Sequence, residues 1–359
     1  MKETDKRKFN LRGVLTSCVM LSLLGALLCL PRTSLEYMSD ALKLCATRLI
    51  PSLFPFMIIS DMLISGSVQI PLKSAITKFI GYMFGTSEDG SFAVLLGLLC
   101  GFPIGAKSAL RLYGENRISH AELCHVMSFC NIPSPAFICG TVGALFGSAR
   151  LGGIMFCSIL LSAVIMGIFG RIFYKYTAIS QKKTSPRTDA VQSFTSAIAS
   201  SSVVMLNVCA YVVFFSVIIG YVRLICEGLG VPSIIPLCLS GMLEISSGMA
   251  AGAEAGTNIS PYLAAFFGGF SGLSVFFQII SLDKSNSIIK KAFVLEKLFQ
   301  GFLCSLIMLL ALKIFPVSIS PSAQTLGSIT VERYGIYVST LFFVASVVPV
   351  IIAKARDGK

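Results

Sequence analysis

The chain has 359 residues, 55% hydrophobic and only 13% charged, with a net charge of +12 and no tryptophan. A soluble domain carries about a quarter charged residues, so this composition excludes a single water-soluble core and indicates a polytopic helical membrane protein. The basic residues fall in short runs between apolar segments, which is the pattern of cytoplasmic loops beside anionic lipid and not of a nucleic-acid surface.

Residues 2–12 are basic, and an apolar run from Val14 to Leu30 follows without an A-x-A cleavage site. We expect an uncleaved first helix. About 20 apolar residues cross a bilayer, and the further segments of that kind are 48–67, 91–114, 119–148, 151–173, 203–226, 233–256, 260–282, 294–315 and 334–353. Four of them, 91–114, 119–148, 233–256 and 260–282, carry Gly, Pro or charge near their centres. If 91–114 crossed fully, Lys107, Arg111 and Arg117 would face outward, against the positive-inside rule. Reading 91–114 and 233–256 as re-entrant hairpins from opposite sides puts nearly every basic cluster inside, including Lys284, Lys290, Lys291 and Lys297. Both chain ends then lie in the cytoplasm of a multi-pass cell-membrane protein with eight spans and two hairpins.

The same reading implies two copies of one unit: helix, hairpin, broken span, helix. "LLCGFPIGAK" (98–107) overlies "GMLEISSGMA" (241–250) with Gly105 on Gly248, and "MSFCNIPSPAFIC" (127–139) overlies "FFGGFSGLSVFFQ" (266–278). Inverted repeats with broken helices at matching positions point to a transporter with a site near the bilayer midplane. The domain organisation expected is an N-terminal helix (1–35), a first repeat (36–177), a basic linker (178–190), a second, inverted repeat (191–316) and a C-terminal helix with a basic tail (317–359).

"GFPIGAK" (101–107), "RLYGENRISHAE" (111–122) and "MSFCNIPSPAFICGTVGALF" (127–146) resemble the YlbJ-type sporulation integral membrane proteins, part of the wider nucleoside-recognition (Gate) domain family. The resemblance implies a fold similar to concentrative nucleoside transporters. It also implies a role in endospore formation, the spore cortex and the forespore-surrounding membrane included.

The breaks define the candidate site. Backbone groups freed inside a bilayer are tolerated only against protein or a wet cavity. Gly101, Pro103 and Gly105 form the first tip; Asn131 and Ser134 flank the start of a half-helix whose positive end suits an anion or a carbonyl. Lys107 lies in a first helical turn, where the dipole disfavours a cation, so an anion should face it: Asp61, Glu244 or a solute. Glu244, at a helix end before Ser246 and Ser247, is the expected coupling group for H+ or Na+, with Asp61 beside it, or else simply the partner of Lys107. Ser271 and Ser274 join the lining, with Asn207 and Gln278 as further candidates.

Other chemistries fit less well. "GFSG" (269–272) matches an intramembrane serine-protease motif, yet both histidines, His120 and His125, lie far upstream near the inner face. Two histidines without a third ligand make a weak metal site. The twelve cysteines show no C-x-x-C spacing. No enzyme, cofactor or metal is expected. The leading function is a secondary permease for a small polar or anionic solute, nucleoside-like or a spore metabolite; the alternative is a non-transporting scaffold in spore-envelope assembly. The partners implied are the lipid bilayer, the solute and the coupling ion, with a homo-oligomer open beside a monomer and no nucleic acid.

Overall fold

The computed structural model describes residues 11–65, 73–174, 190–288 and 290–317. These residues form helices and connecting turns, with no strand among them. Among the described residues five helices are long and apolar enough to cross a membrane: α2 (Pro31–Ile64), α8 (Ala149–Phe173), α9 (Ala190–Gly228, apolar from Val191), the broken helix α12–α13 (Ser260–Phe270 and Gly272–Leu282) and α14 (Lys290–Ile314). Large side chains such as Leu28, Phe79, Phe169, Leu206 and Ile314 are exposed on the outside, as expected where the solvent is lipid.

The remaining helices are α1 (Leu11–Cys29), α3 (Lys73–Phe84), α4 (Glu88–Cys100), α5 (Ile104–Gly114), α6 (His120–Phe129), α7 (Ala136–Leu145, π-helical over Ala136–Val142), α10 (Ile234–Leu243) and α11 (Ile245–Ala255). Helix α4 starts cleanly because Ser87 caps it through the Gly90 amide and Glu88 and Asp89 fill its first turn. It stops at Gly101, whose φ of 79° is open to glycine. The chain reverses through a cis Phe102–Pro103 bond into α5, which packs back on α4. Helices α10 and α11 pack on one another in the same way.

Both pairs cross on glycine. A Cβ on Gly105 would lie 2.8 Å from the Gly97 Cα, and one on Gly248 would lie 2.1 Å from the Gly241 Cα. Small residues let helices approach at backbone distance where lipid supplies no hydrophobic drive. After each pair comes an interrupted helix and then a long one. α6 and α7 are separated by residues 130–135, and α12 and α13 by Ser271, which has φ 73° beside Gly272 at 79°. The order of long helix, packed pair, interrupted helix and long helix occurs in both halves, except that α3 stands between the long helix and the pair in the first.

Several boundaries differ from the sequence reading. The segment expected at 48–67 begins at Pro31, since nothing stops the helix before Pro51; a π-helical turn, Cys45–Leu49, precedes that proline. Helix α3 lies in a stretch expected to be a loop; its Lys73, Ser74, Thr77 and Lys78 keep its hydropathy below that of a span. Helix α9 begins at Ala190 and not at 203, because serines 193, 196 and 200–202 lower its hydropathy without breaking it. At about 58 Å, from 1.5 Å per residue, it exceeds a bilayer core of ~30 Å. Residues 1–10, most of the 178–190 linker and the expected helix 334–353 lie outside the described residues.

Candidate functional site

Each helix pair presents its tip to an interruption. The Phe102 amide donates to the Ile132 carbonyl at 2.9 Å, and a Cβ on Gly101 would lie 2.5 Å from the Ser134 nitrogen. The tip of α4–α5 is therefore pinned to the α6–α7 break. At the other tip, a Cβ on Gly272 would lie 3.2 Å from the Ile245 nitrogen and 3.4 Å from the Leu243 carbonyl. Both tips then meet one cavity lined by Phe102, Ser134, Glu244, Ser246 and Gln278, with Val208 and Val212 of α9 on its apolar side. Its volume is about 20 Å³, room for a single water or small ion.

Glu244 is 1% exposed and sits between α10 and α11. Its carboxylate accepts from the Ser246 amide at 3.0 Å and the Ser247 amide at 2.7 Å. The sequence reading placed it against a helix dipole; the extended backbone at Glu244 (φ −145°, ψ 123°) turns it instead onto the positive end of α11. Ser134 accepts from the Phe137 amide at 3.2 Å and caps α7. Gln278 donates to Ser274 at 3.2 Å, while its buried Oε1 has no partner among the described residues.

Lys107 does not pair with Glu244. Its ammonium lies 2.5 Å from Asp61 Oδ2 of α2 and 3.3 Å from Ser200 Oγ of α9. Ser200 and Ser201 both donate to Asp61. This is the anion that the placement of Lys107 required, and it fastens α5 to α2 and α9. The serine contribution was missed; its signal is the run "SSS" (200–202) inside an otherwise apolar helix.

A third cluster was missed because of a misplaced charge. Lys297, expected with the cytoplasmic basic cluster at the start of the 294–315 span, is 3% exposed on α14. Its ammonium donates to the Asn131 main-chain carbonyl at 2.5 Å and to Gln300 Oε1 at 2.8 Å. Ser271 Oγ lies 3.5 Å from the same carbonyl. The signal was the spacing Lys297, Gln300, Gly301, Cys304, which is one helical face. Asn131 itself is fully buried; its Nδ2 donates back to the Met127 carbonyl at 3.1 Å, and its Oδ1 has no partner among the described residues.

The structure thus gathers Ser134, Glu244, Ser246 and Gln278 about the cavity, with Ser274 reaching it only through its hydrogen bond from Gln278. It keeps Lys107 with Asp61, and sets Asn131 and Ser271 beside Lys297. Gly101, Pro103 and Gly105 shape the first tip, and Ser247 contributes its amide to Glu244. Asn207 is exposed on α9 and is not among the residues lining the cavity. His120 contacts the Ser287 carbonyl at 2.7 Å and His125 the Gly167 carbonyl at 3.0 Å, away from the cavity lining.

Over 342 aligned residues the chain is 28% identical to the "Sporulation integral membrane protein YlbJ" of Bacillus subtilis (strain 168), covering 85% of this chain and 84% of that protein. The chain is thus similar to a YlbJ-type sporulation membrane protein over most of its length. The alignment reaches across nearly the whole YlbJ chain, so the likeness extends beyond the "GFPIGAK" and "NIPSP" stretches that first suggested it. No protein-family model matches the chain, and no solved structure matches it.

Proposed function

We propose that this membrane protein is a secondary permease for a small polar or anionic solute, acting in spore formation at the forespore-surrounding membrane. We propose further that 36–177 and 191–316 are inverted Gate-like repeats similar to concentrative nucleoside transporters, with both chain ends cytoplasmic. The repeated element order supports this, as do the glycine crossings Gly97–Gly105 and Gly241–Gly248, in which Gly105 and Gly248 are the residues that the sequence alignment superposed and Gly97 falls one position from Gly241. The similarity to YlbJ supports the link to sporulation.

The observation that carries the reading is the meeting of both helix tips at one cavity bearing a carboxylate, Glu244, held by two backbone amides with no basic partner, and an unpartnered amide oxygen on Gln278. Among the described residues no basic side chain lies within ion-pair distance of Glu244. A carboxylate at such depth is stable when protonated or matched by a cation, which makes it the coupling group for H+ or Na+. The cavity has no room for an organic solute, so this is a closed conformation and solute binding requires the tips to part. The same closure favours the second reading, a scaffold in spore-envelope assembly that does not transport.

Glu244→Gln and Gln278→Leu separate the two. Sporulating cells carrying each variant at normal membrane abundance are compared for sporulation and spore metabolites. Loss of a defined solute supports the permease. Full sporulation with an unchanged metabolite profile in both variants leaves the scaffold.

A further inference from the structure

Lys297 is a buried cation that the proposed transport site does not use. It projects from α14 where two interrupted helices stop. Helix α6 ends at Phe129 and the chain leaves it through Asn131, whose carbonyl takes the ammonium. Helix α12 ends at Phe270, and Ser271 beyond it touches the same carbonyl. The last turn of α12 lies directly on α14: a Cβ on Gly269 would be 2.8 Å from the Gln300 carbonyl and from the Gly301 Cα. Among the described residues no carboxylate lies within ion-pair distance of the ammonium.

What balances the charge is therefore a set of oxygens and two helix ends. The Asn131 carbonyl and Gln300 Oε1 accept directly, and the C-termini of α6 and α12 bring the negative ends of their dipoles to the same place. The buried Oδ1 of Asn131 has no partner among the described residues, so the ammonium is held through the Asn131 main-chain carbonyl and not through this side chain. Freed carbonyls and half-helix C-termini at an interrupted membrane helix make a coordination shell for a small monovalent cation.

We infer that the acceptors at the meeting of the two interrupted helices form a monovalent-cation site, and that the Lys297 ammonium is its tethered occupant. The cation holds the α6–α7 and α12–α13 breaks against α14 without an ion from solution. Removing the side chain should open the position to a free small cation. The inference does not depend on transport.

The test is thermal unfolding of the full-length protein in nanodiscs, in choline chloride buffer, with and without methylammonium. Lys297→Ala should melt below the unmodified protein, and methylammonium at about 100 mM should recover about half of that loss by binding the folded state. Tetramethylammonium, too large for the position, should recover none; Na+ serves as a second small probe and should act like methylammonium. Equal melting of Lys297→Ala and the unmodified protein overturns the inference. So does a loss that neither small cation reduces, or that tetramethylammonium reduces equally. Should Lys297→Ala fail to accumulate, Lys297→Arg and Lys297→Met decide by membrane abundance. Abundance with Arg but not Met supports the cation site, and any other pairing overturns it.

Discussion

Replacing Gly248 by alanine adds one methyl group where α10 and α11 cross. The added Cβ would stand 2.1 Å from the Gly241 Cα and 2.6 Å from its nitrogen, both backbone atoms. Ordinary contact begins near 3.4 Å, so the arms must open by about 1.3 Å, because no side chain can swing aside. Gly105→Ala faces the same problem at a Gly97 distance of 2.8 Å, an opening of about 0.6 Å. Gly153 on α8 has nothing within 4 Å and serves as the control. There alanine should be neutral or gain up to about 1 kcal/mol of helix propensity. Overpacking typically costs about 1–3 kcal/mol, so Gly105→Ala should fall in that range. Gly248→Ala should exceed ~3 kcal/mol, roughly a hundredfold in the folded-to-unfolded ratio. Equilibrium unfolding by SDS in mixed micelles reads all three, with stability ordered 153, 105, 248. A Gly248→Ala protein as stable as Gly153→Ala would refute the claim that glycine contact sets the tip position.

Lys107→Met should lower membrane abundance sharply, since stranding the buried Asp61 carboxylate costs about 3–5 kcal/mol; adding Asp61→Asn should restore it, and failure of the double variant would show that the pair does more than neutralise itself. Glu244→Ala removes both acceptors from the Ser246 and Ser247 amides and should cost about 1–2 kcal/mol, with Glu244→Gln costing less, as read by thermal unfolding; equal stability of all three proteins would exclude a capping role. In a cysteine-free background, single cysteines at Gly114 and Thr188 should react with an impermeant maleimide from the cytoplasmic side and one at Thr257 from outside; external labelling at 114 would remove the basis for opposed hairpins.

The breaks were legible because the residues that make them are local. Gly101, Pro103, Pro133 and Pro135 interrupt a helix whatever surrounds them, and the pairing of Gly105 with Gly248 followed from aligning two such interruptions. Helix α3 was less legible, because twelve residues with four polar ones give too weak an apolar signal for a span. Lys297 was misread for a related reason. It follows Lys290 and Lys291 closely enough to read as one basic cluster, and only the packing of α12 on α14 decides that it is inside. The partner of Lys107 was open between two carboxylates, since which helix lies opposite α5 is a matter of tertiary placement.

Lys107, Glu244 and Lys297 obey one electrostatic rule by different means. Lys107 stands near the positive end of α5, where a cation is disfavoured, and it alone of the three has an oppositely charged side chain, Asp61. Glu244 stands at the positive end of α11 and Lys297 at the negative ends of α6 and α12. Each of these two faces helix ends of opposite sign, and neither has an ion partner among the described residues. A helix end supplies about half an elementary charge, so Glu244 retains an unmet negative charge, whereas Lys297 has two ends and two direct acceptors. The asymmetry assigns their roles. Lys297 is satisfied where it is and suits a fixed fastening between the two breaks. Glu244, with an adjoining cavity large enough for one small cation or water, is the charge whose state can change.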